Sequence, residues 1–307
     1  GRPPLKREGT ITVNRARRDA LQGYLFLLPA LVLFLVVILV PLLGTVGMSF
    51  AKFQLIGTSK WVGLANFSRF FSDPRLGVIY GNTLRFVLVL VVLHLVVGLA
   101  LALAVKSFVR GRWAYLYRTV FFFPVLVTTA SVAIAWLYMF STSFGLFNYY
   151  LGLLGLKPVP WLNSPTWVYV AVAIFSLWKF VGNSFIYYLI GLQSIPVELD
   201  EAAMLDGATG TQRFFRITLP LLTPTIFFVM VNLIIGATQI FDEPYFITTG
   251  GPGDASRPVG LYIYETAFQF HNLSYGSTLA LSLFVVILFV TFVQFRAQNR
   301  WVVYGLE

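Results

Sequence analysis

Long stretches without a single charge constrain this chain more than any other feature. Runs free of Asp, Glu, Lys and Arg extend from Ala20 to Ala51, Phe86 to Val105, Thr119 to Leu156, Ile217 to Phe241 and Thr266 to Phe295. Each is as long as or longer than the roughly 20 residues with which a helix crosses a bilayer. In hydrocarbon every backbone polar group needs a partner within the protein, and a helix supplies those partners within one segment. A β-barrel would show alternating segments of about ten residues, whereas these runs are continuously apolar and rich in Leu and Val. The fold class is therefore all-α, a polytopic membrane protein. Only 11% of the 307 residues are charged, against about 25% in soluble domains, which excludes a soluble enzyme or a nucleic-acid binder.

Cutting the runs at turn signals and charges predicts six transmembrane helices: Gly23 to Phe50, Thr83 to Val105, Arg118 to Phe140, Trp167 to Leu189, Pro220 to Ile240 and Ser277 to Phe295. The first run exceeds a signal-peptide core and lacks a small-residue cleavage site, so it is expected to remain as a span. The net charge of +10 reads as topology, because cytoplasmic loops carry the excess of Lys and Arg. Fourteen basic residues fall on one side (Arg2, Lys6, Arg7, Arg15, Arg17, Arg18, Lys106, Arg110, Arg112, Arg118, Arg213, Arg216, Arg296 and Arg300). Six fall on the other (Lys52, Lys60, Arg69, Arg75, Lys157 and Arg257). Both termini and the loop at about 190–219 are thus expected in the cytoplasm. Residues 1–22 read as a basic, flexible cytoplasmic tail and 23–307 as one transmembrane domain. In the outer loop, the aromatics of Trp61 to Phe71 suit an amphipathic helix at the interface.

The chain has no Cys, so it has no disulfide framework or thiolate metal site, and the redox compartment stays open. No phosphate-cradling GxxxxGK[ST] sequence is present. His94 and His271 lie far apart with no carboxylate at helical spacing, so a metal site is not expected, and each reads as a packing or interface residue. Polar groups at membrane depth are expensive and usually face a cavity or another helix. The candidates are Ser176, Lys179 and Asn183 in span four, Asn232, Thr238 and Gln239 in span five, and Asp242 and Tyr245 just beyond it. Asn232 and Gln239, seven apart, lie within about 20° of one helix face, and Ser176 and Asn183 share that spacing. Two polar stripes can thus face each other across a gap, or bond helix to helix. Lys179 suits an ion pair with Asp242 or Glu243. Tyr187 and Tyr188 read as an interfacial belt.

In the fourth loop, Pro196 suits a first helical turn, and Glu198, Asp200 and Glu201 favour the positive end of the helix dipole. Ala202 and Ala203 leave room for close approach of another surface. Gly207 can end the helix with positive φ. Arg213 and Arg216 follow on a second short helix whose Phe214, Phe215 and Ile217 can pack at the membrane surface, and Pro220 opens the next span. The segment reads as a helix, turn, helix knob.

The spacing from Glu201, Ala202 and Ala203 through Asp206 and Gly207 to Ile217, Leu219 and Pro220 resembles the EAA loop of binding-protein-dependent ABC importer permeases. WVGLANF at Trp61 to Phe67, Trp178 with Lys179, LQSIP at Leu192 to Pro196 and TGGPGDAS at Thr249 to Ser256 resemble the carbohydrate branch, which carries maltose, other oligosaccharides and glycerol phosphate. The resemblance implies a bacterial-type cytoplasmic (inner) membrane and a non-catalytic subunit forming half of a translocation pathway for a sugar or polyol. It further implies a second homologous permease, two cytoplasmic ATPase subunits that bind ATP and Mg, and an extracytoplasmic solute-binding protein; this chain carries no cofactor itself. The eight loop residues above would couple to the ATPase. Substrate contacts would fall on spans four and five, although Ala237 and Ile240 are apolar where the maltose permease offers polar groups. A self-sufficient carrier or channel is the alternative, but it would more naturally show internal repeats and coupling-ion residues. A membrane-embedded enzyme would show clustered carboxylates or histidines near one face.

Overall fold

The computed structural model describes residues 9–53, 58–109 and 111–303, and residues 1–8 of the basic tail lie outside them. The chain is an all-α bundle whose only strands among the described residues are the two-residue β1 (Ala51–Lys52) and β2 (Lys60–Trp61), paired antiparallel. Helix α1 (Gly9–Leu33) passes through a π-helical turn at Phe34–Leu39 into α2 (Val40–Ser49). It begins inside the stretch read as a flexible tail, so residues 9–22 are helical, and the part apolar enough to cross a membrane runs from Arg17 to Ser49. Outside the span ends lies the short amphipathic α3 (Ala65–Ser72), followed by α4 (Leu76–Phe108). Then come α5 (Arg112–Leu126), α6 (Thr129–Met139), α7 (Leu146–Leu153) and α8 (Trp167–Gln193).

Among the described residues, four helices are long and apolar enough to cross a membrane singly: the α1–α2 unit, α4, α8 and the last helix, α14 (Leu273–Gln298). Two bent pairs bring the number of crossings to as many as six. The third expected span is one of these pairs. Its helices α5 and α6 meet at 98°. Pro124 offers no N–H to the preceding turn, and Val127 and Thr128 take up extended backbone between the two helices. The fifth span is bent by 62° between Gly210–Leu221 and α12 (Thr223–Thr238). Pro220 belongs to the short helix before the bend, and the helix after it starts at Thr223 with Pro224 in its first turn, so the expected opening at Pro220 falls at the bend within this pair.

Helix α8 is the hub, packing against α4 and α5 while α12 lies against α4. Small residues allow these close crossings, as is common where helices meet in lipid. A Cβ on Gly182 would lie 2.3 Å from the Phe121 carbonyl oxygen of α5, and one on Gly98 of α4 would lie 2.7 Å from the Ser184 Cβ. Towards one end, Ala102 and Val105 of α4 meet Phe185, Tyr188, Leu189 and Leu192 of α8 and Val229 of α12. Tyr188 is thus a core residue and not part of an interfacial belt. At the other end Leu76 and Ile79 join Val259, Tyr262, Tyr275 and Leu279, where α13 (Val259–Tyr264) and α14 begin.

The segment between α12 and α13 is strapped to its surroundings. Arg75 grips the Asp254 carboxylate through Nε and Nη2 at 2.9 and 2.8 Å. Arg257 pairs with the same carboxylate and with Glu265. Asn82 donates to the carbonyls of Asp254 and Arg257, and the Tyr169 hydroxyl bonds to Asn82 and to the Ala255 carbonyl.

Candidate functional site

Two features stand apart from the packed bundle, a projecting knob and a cavity. The knob starts with α9 (Val197–Leu205), which carries Glu198 and Asp200 in its first turn, where negative charge complements the helix dipole. It ends in a Schellman motif. Ala208 N–H bonds to the Ala203 carbonyl at 2.9 Å and Gly207 N–H to the Met204 carbonyl at 3.1 Å, with Gly207 at φ +77°. A left-handed residue at this position lets the chain reverse while the last carbonyls keep partners. Thr209 and Gln212 then form a reciprocal capping box for α10 (Gly210–Arg213), a T-x-x-Q signal present in the sequence. Arg213 Nη1 closes on Asp200 Oδ2 at 2.6 Å and ties the two helices together.

A π-helical turn, Phe214–Thr218, and α11 (Leu219–Leu221) lead back to the bundle. Glu201, Ala202, Asp206 and Gly207 are exposed and Ala203 is half-buried, whereas Ile217, Leu219 and Pro220 are half-buried at the base. Met204 and Leu205 are also exposed, Leu205 at 90%. An apolar side chain so open at a helix end is a surface looking for cover.

The cavity encloses about 510 Å³ between α4, α8, α12 and the segment after α12. It brings together Ser176, Asn183, Asn232, Gln239 and Asp242, so both polar stripes and the first residue pair beyond span five face one space. Asn232 donates Nδ2 to the Phe228 carbonyl at 2.8 Å, leaving its oxygen open. Three other candidates lie elsewhere. Thr238 bonds back to the Ile234 carbonyl at 2.6 Å within its own helix. Tyr245 stacks on Phe241 and meets Phe246 and Tyr264 edge-on. Lys179 is 1% exposed and donates to the carbonyls of Pro124, Val125 and Val127 at 2.7, 3.1 and 2.6 Å.

Those carbonyls lie at the C-terminal end of α5, where the negative pole of its dipole falls and where, among the described residues, only that of Pro124 also takes a backbone N–H, from Val127 at 3.3 Å. Lys179 is therefore a cap on the broken helix. No ion pair joins it to Asp242 or Glu243 among the described residues.

Four polar lining residues, Glu243, His94, Tyr187 and Ser184, were not among the candidates. Glu243, buried, accepts a hydrogen bond from the Ser176 hydroxyl at 3.1 Å. His94, read as packing, lines the cavity with Nδ1 2.8 Å from the Leu90 carbonyl oxygen and Nε2 3.3 Å from that of Ser176. Tyr187, read as belt, lines it as well. His94 lies at the centre of an otherwise apolar run of α4, and that isolation was the available signal.

Residues 94–303 match the family described as binding-protein-dependent transport system inner membrane component. The chain is 34% identical to the probable ABC transporter permease protein YesP of Bacillus subtilis over 94% of each protein. It is 35% identical to the trehalose/maltose transport system permease protein MalF of Thermococcus litoralis, over 94% of this chain and 97% of that one. Its fold superposes with a TM-score of 0.82 at 25% identity on a chain of a bacterial ABC transporter involved in import of the acidic polysaccharide alginate, covering 94% of this chain and 98% of that one. The bundle, the knob and these likenesses together place the chain in the family of binding-protein-dependent transport system inner membrane components, as a multi-pass permease subunit of the ABC transporter kind.

Proposed function

We propose that this chain forms one half of the translocation pathway of an ATP-driven importer for a sugar or related polyol, in a bacterial cytoplasmic membrane. A second permease would complete the pathway, two cytoplasmic ATPases would bind ATP and Mg, and an extracytoplasmic solute-binding protein would deliver the substrate. The knob of Glu201 to Gly207 is the ATPase-docking element, with Ile217, Leu219 and Pro220 linking it to the bend before α12. Exposed Leu205 and Met204 carry this reading, because an apolar helix end held rigid by a Schellman turn and the Arg213–Asp200 pair fits a groove on a partner. Ser176, Asn183, Asn232, Gln239 and Asp242 form this subunit's wall of the pathway. Amides, hydroxyls and carboxylates around apolar side chains match a sugar, which offers many OH groups around an apolar ring.

A tagged chain extracted in mild detergent should bring an ATPase with it. Ala203→Asp should break that association and uptake together while leaving the chain in the membrane. Retention of the ATPase by this variant, or purification of a lone chain active in transport, would overturn the reading.

A further inference from the structure

The cavity wall is one-sided in charge. Asp242 and Glu243 line it, and no Lys or Arg does among the described residues. The Glu243 carboxylate is held by the Ser176 hydroxyl at 3.1 Å. Asp242 is exposed to the cavity and makes no hydrogen bond or ion pair with another described residue, and the amides of Asn183 and Gln239 are likewise free. Lys179 falls between Ser176 and Asn183 in sequence, but its ammonium is held by three carbonyls at the end of α5 and does not face the cavity.

Resting on the proposed function, we propose that this wall selects uncharged sugars and rejects anionic ones such as uronates and sugar phosphates. A carboxylate accepts hydrogen bonds from vicinal hydroxyls, and charge-assisted bonds of that kind are roughly twice as strong as neutral ones. The same carboxylate repels an anionic ligand, and the repulsion is felt strongly where little water screens it. Free amides at Asn183 and Gln239 supply both donors and acceptors, which suits hydroxyls. Recognition of an acidic sugar would call for an Arg or Lys fork on this wall.

The test compares maltose with digalacturonate, two disaccharides of similar size, binding to the importer assembled from this chain, its partner permease and the ATPases in lipid nanodiscs at low and high salt. The expected result is maltose binding at least about tenfold tighter, with the gap narrowing in high salt. Asp242→Asn should narrow it, and Gln239→Lys should turn the preference towards digalacturonate. Equal or reversed preference in the wild-type chain, or a gap untouched by both substitutions, overturns charge selection and leaves the sugar pathway standing. Absence of binding by either sugar overturns the sugar reading of this cavity and the selection with it.

Discussion

Lys179 shows how far a single side chain can be from its apparent role. As a charge in an apolar helix it reads as a pathway or gating residue, yet its partners are backbone carbonyls of a different helix, which no residue type announces. Removing it leaves the part-buried carbonyls of Val125 and Val127 without that donor, at about 1–3 kcal/mol each before relaxation. Lys179→Met should therefore melt markedly lower than wild type in detergent, and a melting temperature within a degree would mean that the corner is held by other contacts. At Gly207 the limit is backbone and not space, since a Cβ there meets nothing within 4 Å at φ +77°. Gly207→Leu costs roughly 1–2 kcal/mol in left-handed backbone and should unsettle the Schellman turn. Uptake should be lost while membrane abundance is kept; wild-type uptake would remove the knob from the coupling path.

Asp73, just before α4, is pulled both ways. Burial raises its carboxyl, but hydrogen bonds from Tyr262 and Tyr275, the Arg75 amide and the Arg75 charge outweigh that and hold it below the usual range. Because the folded value is depressed, its contribution to stability is complete above the ordinary aspartate value of about 3.9 and fades as pH falls below it. A melting series from pH 7 to pH 3 should show an acid-side loss in wild type that Asp73→Asn lacks.

At the scale of elements, hydropathy located the crossings but not their shape. The run from Thr119 to Leu156 carries no charge to mark a break, and only Pro124 hints at the right-angled corner between α5 and α6. The knob was more legible, because Pro196, the acidic first turn and Gly207 each act within a few residues of themselves. The polar stripes of α8 and α12 were legible for the same reason, as spacing of seven fixes a face on any helix. What escaped was contact between distant elements, namely the α5 end on Lys179, Ser176 on Glu243, and His94 across from both. Close crossing of α5 and α8 at Gly182 gives a sharp prediction. Gly182→Leu should force the helices apart and sharply reduce folded protein recovered from membranes, since the obstacle is backbone at Phe121 that cannot swing aside. Normal recovery and melting would show that the crossing is looser than the 2.3 Å approach implies.

For the whole molecule, the basic asymmetry sets an orientation that one experiment reads directly. The chain lacks Cys, so Gln212→Cys on the knob should resist an impermeant thiol reagent outside intact cells, whereas Asp254→Cys on the opposite rim should react; the reverse pattern would invert the topology. The proposal that partner subunits bind ATP predicts that the purified chain alone hydrolyses none in a phosphate-release assay. The outer straps have a mechanical meaning of their own. Arg75, Asn82 and Tyr169 fasten the 249–257 segment to α4 and α8, so these three parts form one rigid plate. Whatever opens the pathway has to tilt that plate as a unit, with the flexing left to the 62° bend above the knob: the molecule is built as a lever whose far arm does not bend.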